Sequence, residues 1–166
     1  MNEKLQIEDV FEKLAFPASK EDQADLESRL LNEGCLEPII TWRGIAFENL
    51  CFNHIQQIKS ALGIPGVASR QSAWSKRGDD IEGAQIDLLI DRNDNIINMC
   101  ELKYYGDEFT VNKEYYKKLL HRQELLSAEI PKRYAIHNTL ITTFGLTYNE
   151  YSGIFSNVIT LDELFR

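Results

Sequence analysis

The chain has 166 residues, of which 43% are hydrophobic and 27% charged, and a formal net charge of −8. That length supports one domain with a full core, and the composition is that of a folded globular protein rather than a disordered one. No apolar run approaches the roughly 20 residues of a membrane span, and the acidic, amphipathic start MNEKLQIEDVFEKL is no secretory signal, so a cytoplasmic protein without membrane contact is expected.

The acidity is uneven. Residues 1–50 carry 11 acidic and 5 basic side chains, whereas residues 51–166 carry 15 and 13. Net negative charge argues against a simple electrostatic binder of nucleic acid, but most of it sits in the N-terminal part. Cys35, Cys51 and Cys100 are odd in number and lack metal-ligand spacing. They read as buried thiols in a reducing compartment.

Residues 1–42 read as a helical N-terminal segment and 43–166 as the main domain. A short amphipathic helix is expected over 7–14, broken at Phe16-Pro17-Ala18-Ser19. Ser19 suits an N-cap for a second helix over 22–32, which Gly34 would end. Pro38-Ile39-Ile40-Thr41-Trp42 reads as a short strand or extended connector. The strongest helix signal covers 43–62, where Phe47, Cys51, Ile55, Ile58 and Leu62 fall on one face. Glu48 lies at the edge of that stripe. It either points into a cleft between helix and sheet or is an ordinary solvated residue. His54 reads as a packed or surface histidine, and Gly63-Ile64-Pro65-Gly66 ends the helix. A first strand is expected over 68–76, anchored by Trp74. The polar loop that follows carries Asp79, Asp80 and Glu82, read as solvated residues, and Lys76 and Arg77, which suit phosphate contact.

Residues 83–105, GAQIDLLIDRNDNIINMCELKYY, read as strand, turn and strand. Asn93-Asp94-Asn95 tolerate turn conformations. A three-residue loop there opposes Arg92 to Ile96 and, counting back, Asp87 to Glu101. Opposed residues share a face at roughly 4.5–5.5 Å between Cβ atoms, and Lys103 lies two residues along on that face. A one-residue change in register would send Asp87 to the other side. Carboxylates in core-forming strands are costly without compensation, and two that close repel. A divalent cation such as Mg²⁺, or Mn²⁺, with oxygen ligands would relieve both. Gln85 either orients a ligand beside Asp87 or is a rim residue, and Asp91 reads as a turn residue.

A second long helix is expected over 112–129, with Tyr115, Leu119, Leu126 and Ile130 near its inner side. Lys113 and Lys117, and Lys118 and Arg122, are four apart and form the chain's basic stripe. It is the best candidate for phosphate contact, unless it is simply a solvated face. A buried strand is expected over 133–144, a loop over 144–153, and a short strand at Val158-Ile159-Thr160. Thr160 and Glu163 then form a capping box on a terminal turn.

The ordered set of Glu48 on a helix, Asp87 on one strand and Glu101-Leu102-Lys103 on the next resembles the PD-(D/E)XK nuclease superfamily. Trp42-Arg43-Gly44 through Phe47-Glu48-Asn49, Ala84 to Arg92, and Cys100 to Tyr104 also resemble the C-terminal nuclease-like domain of prokaryotic ATP-binding proteins. The resemblance implies a restriction-endonuclease-like α/β fold: an αβββαβ mixed central sheet flanked by helices, here with an extra helical N-terminal segment. It implies Mg²⁺ or Mn²⁺ held by Asp87, Glu101 and Glu48, with Lys103 favouring deprotonation of the attacking water. The substrate would be nucleic acid, DNA first, with phosphate contacts from Lys113, Lys117, Lys118, Arg122 and Gln85. An ATPase partner or a homodimer is also implied. No Gly-Lys-Ser/Thr phosphate loop is present, so the chain reads as such a domain standing without the ATPase module. Residues 26–42 look locally like the start of a ParB/sulfiredoxin-like domain, whose later motifs are absent. Two rival readings are a catalytically silent docking or dimerisation module of the same fold, and a DNA-binding regulator acting through the N-terminal helices.

Overall fold

The computed structural model describes residues 36–77 and 83–165, with side chains from Trp42 onward. The helices expected over 7–14 and 22–32, their caps, Cys35 and the loop acids Asp79, Asp80 and Glu82 lie outside the described residues. The chain divides into two compact units, Met1–Ala46 and Phe47–Arg166. The second unit carries the sheet and all that follows.

Helix α1 (Leu36–Asn53) begins earlier than expected and takes in Pro38 to Trp42. The β-branched Ile39, Ile40 and Thr41 suggest a strand, but Pro38 falls in the first helical turn, where its missing N–H leaves no bond unmade. The helix expected over 43–62 is also interrupted. His54 breaks it: its ring Nδ1 lies 2.8 Å from the Leu50 carbonyl, and its backbone N–H is shared between Leu50 and Cys51. Helix α2 (Ile55–Ala61) then completes the element. Its end is a Schellman motif. Gly63 at φ +72 donates to Ser60 and Ile64 donates to Lys59, and the buried Lys59 ammonium reaches the Val67 carbonyl at 2.7 Å. Phe47, Cys51 and Ile58 are buried as their spacing predicts.

Five strands follow as one sheet in the order β1-β2-β3-β4-β5. They are β1 (Ser69–Lys76), β2 (Ala84–Arg92), β3 (Ile96–Lys103), β4 (Ala135–Thr142) and β5 (Asn157–Thr160). The first three are antiparallel, and β3, β4 and β5 run parallel. The fold is therefore α/β with a mixed sheet. The β2–β3 register pairs Leu88 with Cys100 and Asp91 with Ile97, the register that a three-residue loop dictates. Asn95 takes φ 63 at the last loop position, as three-residue hairpin loops require. Arg92 grips Asp94 through two of its nitrogens, one at 3.0 Å, and this holds the Asp94 carboxyl below the usual range. Asp91 is a strand residue, paired to Arg70 at 3.2 Å, rather than part of the turn.

Helix α3 (Lys113–Ser127) crosses over between β3 and β4, capped by Asn112, whose side chain accepts from the Tyr115 N–H at 2.8 Å. Its Leu119 and Leu126 join Leu89, Ile97, Met99 and Leu140 in the core. Asn98 and Thr139 are fully buried and bonded to each other at 3.0 Å across β3 and β4. The stretch expected to be loop over 144–153 ends in a 3₁₀ turn (Ser152–Ile154). The terminal turn is also 3₁₀ (Leu161–Phe165), and Glu163 accepts from the Thr160 N–H at 2.7 Å. Cys51 and Cys100 are buried, free thiols. Among the described residues, no helix is long and apolar enough to cross a membrane.

Candidate active site and basic groove

The site forms where β2 parts from β3. Ser72 pairs with Leu89 but Trp74 with Ile86, so two steps on β1 face three on β2. The extra residue of this β-bulge falls at Asp87–Leu88, and β2–β3 pairing ends one residue away at Leu88. Bulges bend a strand and re-aim its side chains. Asp87 is half-buried at this parting point, directly after Gln85 and Ile86. Gln85 donates to its Oδ1 at 3.0 Å.

Glu48 comes into the field of the same group from helix α1. Burial raises its carboxyl above the ordinary value, and the charge of Asp87 raises it further. Lys103 opposes the shift, and Glu101 adds to it. Of these four, Glu101 and Lys103 are in direct contact, and Glu48 feels the charges of Asp87, Lys103 and Glu101.

Glu101 is the best-anchored member, with its side chain 7% exposed. Lys103 lies 3.0 Å from Oε1, and the Tyr115 hydroxyl donates to the same oxygen. Arg122 donates to Oε2 at 2.6 Å. Burial and the neighbouring Glu101 charge push the Tyr115 phenol up, so it stays a donor. A buried carboxylate needs compensation, and here two cations and a phenol provide it. Composition and spacing did not reveal Tyr115 or Arg122 as partners of Glu101. Their helical phase placed Tyr115 on an inward face, but which strand that face meets is set by the crossover.

Beside these groups lies a groove of 370 Å³ lined by Gly83, Ala84, Gln85, Lys117, Lys118, His121 and Arg122. Four of its side chains stand on one face of α3, at positions i, i+1, i+4 and i+5. Among the described residues, no carboxylate lines it. Of the residues expected to meet phosphate, Gln85, Lys117, Lys118 and Arg122 line it, and His121 joins them; Lys113 does not. Lys76 instead pairs with Glu129 at 2.9 Å.

The oxygen donors of Glu48, Asp87 and Glu101 suit a divalent cation in charge. Among the described residues, however, no three His, Cys, Asp or Glu side chains are drawn together tightly enough to hold one. Both Glu101 oxygens are, moreover, already engaged by Lys103, Tyr115 and Arg122. On β4, opposite Lys103, Thr142 keeps a buried hydroxyl with no hydrogen-bond partner among the described residues.

No family model matches the chain, and no curated protein matches it. Among solved structures it is similar to the crystal structure of the protein of unknown function AF1548, at 13% identity and a TM-score of 0.43. The alignment covers 69% of this chain and 64% of that one. The chain therefore spans less than two thirds of that protein's length, and a likeness of this depth carries no argument about function.

Proposed function

We propose that the chain is a PD-(D/E)XK-type nuclease domain that hydrolyses phosphodiester bonds of nucleic acid, DNA first, with Mg²⁺ or Mn²⁺. The observation that carries the reading is the Lys103–Glu101 contact at 3.0 Å at the end of β3, together with the charges of Asp87, Glu101 and Lys103 that Glu48 feels. The basic groove beside it supports a polyanionic substrate. In this reading Lys117, Lys118 and Arg122 bind the phosphate backbone. Gln85 holds the Asp87 carboxylate in place. Lys103 stabilises negative charge developing on the attacked phosphate or the incoming oxygen. Asp87, Glu101 and Glu48 are the residues that would hold the cation, which would supply Lewis-acid activation of water and phosphate. No nucleophile–base pair of Ser, Cys or His is needed, and none stands among these residues.

A second reading is favoured by one observation. Arg122, Lys103 and Tyr115 already satisfy Glu101, as they would in a silent docking or dimerisation module of the same fold. The two readings part in a cleavage assay. Plasmid and single-stranded DNA are incubated with Mn²⁺ and either wild type or Lys103→Ala. Cleavage by wild type that falls at least tenfold in the variant supports the enzyme; equal activity in both ends that assignment. A rise in melting temperature with Mn²⁺ that Asp87→Ala abolishes is the matching binding result.

A further inference from the structure

The basic groove gathers its charge over a short distance. Lys117, Lys118, His121 and Arg122 line it from α3, and these positions cover only about 7.5 Å of helix axis. Among the described residues, neither Lys117 nor Lys118 is within ion-pair reach of a carboxylate. Arg122 is held at the groove by Glu101, whose Oε2 it meets at 2.6 Å. A guanidinium carries five N–H donors, and this contact uses one of them. On the β2 side, Gly83 and Ala84 project nothing larger than a methyl. The groove keeps 370 Å³, within the range of about 300–1,000 Å³ typical of small-ligand sites.

A groove that follows a nucleic-acid backbone strings its cations along the strand. Here two ammoniums and a guanidinium converge, and their charge suits a compact dianion better than a row of monoanions. A phosphodiester carries one negative charge, whereas a phosphomonoester carries about −1.5 to −2 at pH 7. We propose that the groove is a phosphomonoester site, which takes the terminal phosphate of a nucleic-acid strand in preference to an internal phosphodiester. The inference rests on the nucleic-acid reading above for the strand and needs no cation for its binding. Lys117 and Lys118 neutralise the dianion, and the Arg122 fork, aimed by Glu101, donates to its oxygens. The other oxygen of Glu101 meets Lys103 at 3.0 Å. A single carboxylate therefore separates the anchored end from Lys103, and a strand seated this way presents its first linkages there. The chain would then work inward from strand ends.

The test measures binding in EDTA by fluorescence anisotropy of a short single-stranded DNA labelled on an internal base. It carries a phosphate at one end, at the other end, or at neither. Wild type is expected to bind one phosphate-ended form about tenfold tighter than the hydroxyl-ended form, the scale of one charge-assisted hydrogen bond. Lys117→Gln/Lys118→Gln, two exposed changes, is expected to bind all three forms alike. Lys113→Gln, on the same helix but outside the groove, is expected to keep the preference. Equal wild-type affinity for the three forms overturns the proposal, and so does a preference that survives the double change. A nucleoside monophosphate that competes as well as the phosphate-ended strand keeps the phosphomonoester site but overturns the strand end as its ligand. The nuclease reading stands or falls separately. An end preference without activity in the cleavage assay above ends that reading and leaves this one; cleavage without an end preference does the reverse.

Discussion

Arg122 donates to Glu101 at 2.6 Å from a helix to a strand 21 residues away in sequence. The contact ties α3 to β3 through a charge pair in which one partner is almost fully buried. Removing the cation alone leaves the carboxylate undercompensated, and breaking such pairs costs on the order of 3 kcal/mol. Urea unfolding of Arg122→Ala should show a loss of that size. Adding Glu101→Gln should restore part of it, because the neutral amide no longer needs the cation. A double variant as unstable as the sum of the singles would contradict the pairing.

Glu48 supplies a pH signature. Its folded carboxyl is raised above the unfolded value, by burial and then by Asp87. A raised acid binds its proton more readily when folded, so the ionised form costs stability above the raised value, and that cost disappears as pH falls through it. Glu48→Gln should therefore raise the melting temperature at pH 7. The gain should shrink as pH drops and vanish below the unfolded carboxyl range. A constant gain across pH would show that charge is not the cause.

Asn95 holds the left-handed position of the β2–β3 loop. Ala there carries the left-handed penalty of about 1 kcal/mol, which Gly avoids. Asn95→Ala should lower stability by about that much in urea, and Asn95→Gly by much less. Equal losses would mean that the backbone angle is not what selects the residue.

The Asn112 side chain caps the first turn of α3 by accepting from Tyr115. Asn112→Ala should cost about 1 kcal/mol in urea. Because the same Tyr115 donates to Glu101, the variant should also loosen the first turn in hydrogen exchange at residues 113–116. Protection unchanged there would separate the cap from the site.

Thiol chemistry offers an independent check on the core. Burial, helped by Glu48, pushes Cys51 up to about 12, and burial also raises Cys100. Both should stay protonated and unreactive toward a thiol reagent at pH 8 in the native chain and react fully in urea, measured on a Cys35→Ser background. Native reactivity at either position would contradict the packing.

The hairpin was the most legible part of the sequence. Three turn-tolerant residues between two hydrophobic runs fix its register by counting, and the structure has that register. The bulge at Asp87–Leu88 was not legible, because it depends on how β1 closes against β2. Nor was the capture of Glu101 by Tyr115 and Arg122. The periodicity of α3 shows an inner face, but the strand under that face follows from the crossover. Pro38 to Trp42 misled for the opposite reason: local β-propensity lost to the helix around it.

Asn98 and Thr139 have a consequence for how the two halves of the sheet recognise each other. Their side chains are fully buried and meet across neighbouring parallel strands, with Arg92 donating to the Asn98 Oδ1 at 3.5 Å. Sliding β4 by one residue would strand the Thr139 hydroxyl and the Asn98 amide N–H from each other and from water, at a few kcal/mol. The two groups act as a key that only one alignment fits, and that alignment sets how far Lys103 and Thr142 advance together at the open end of the sheet.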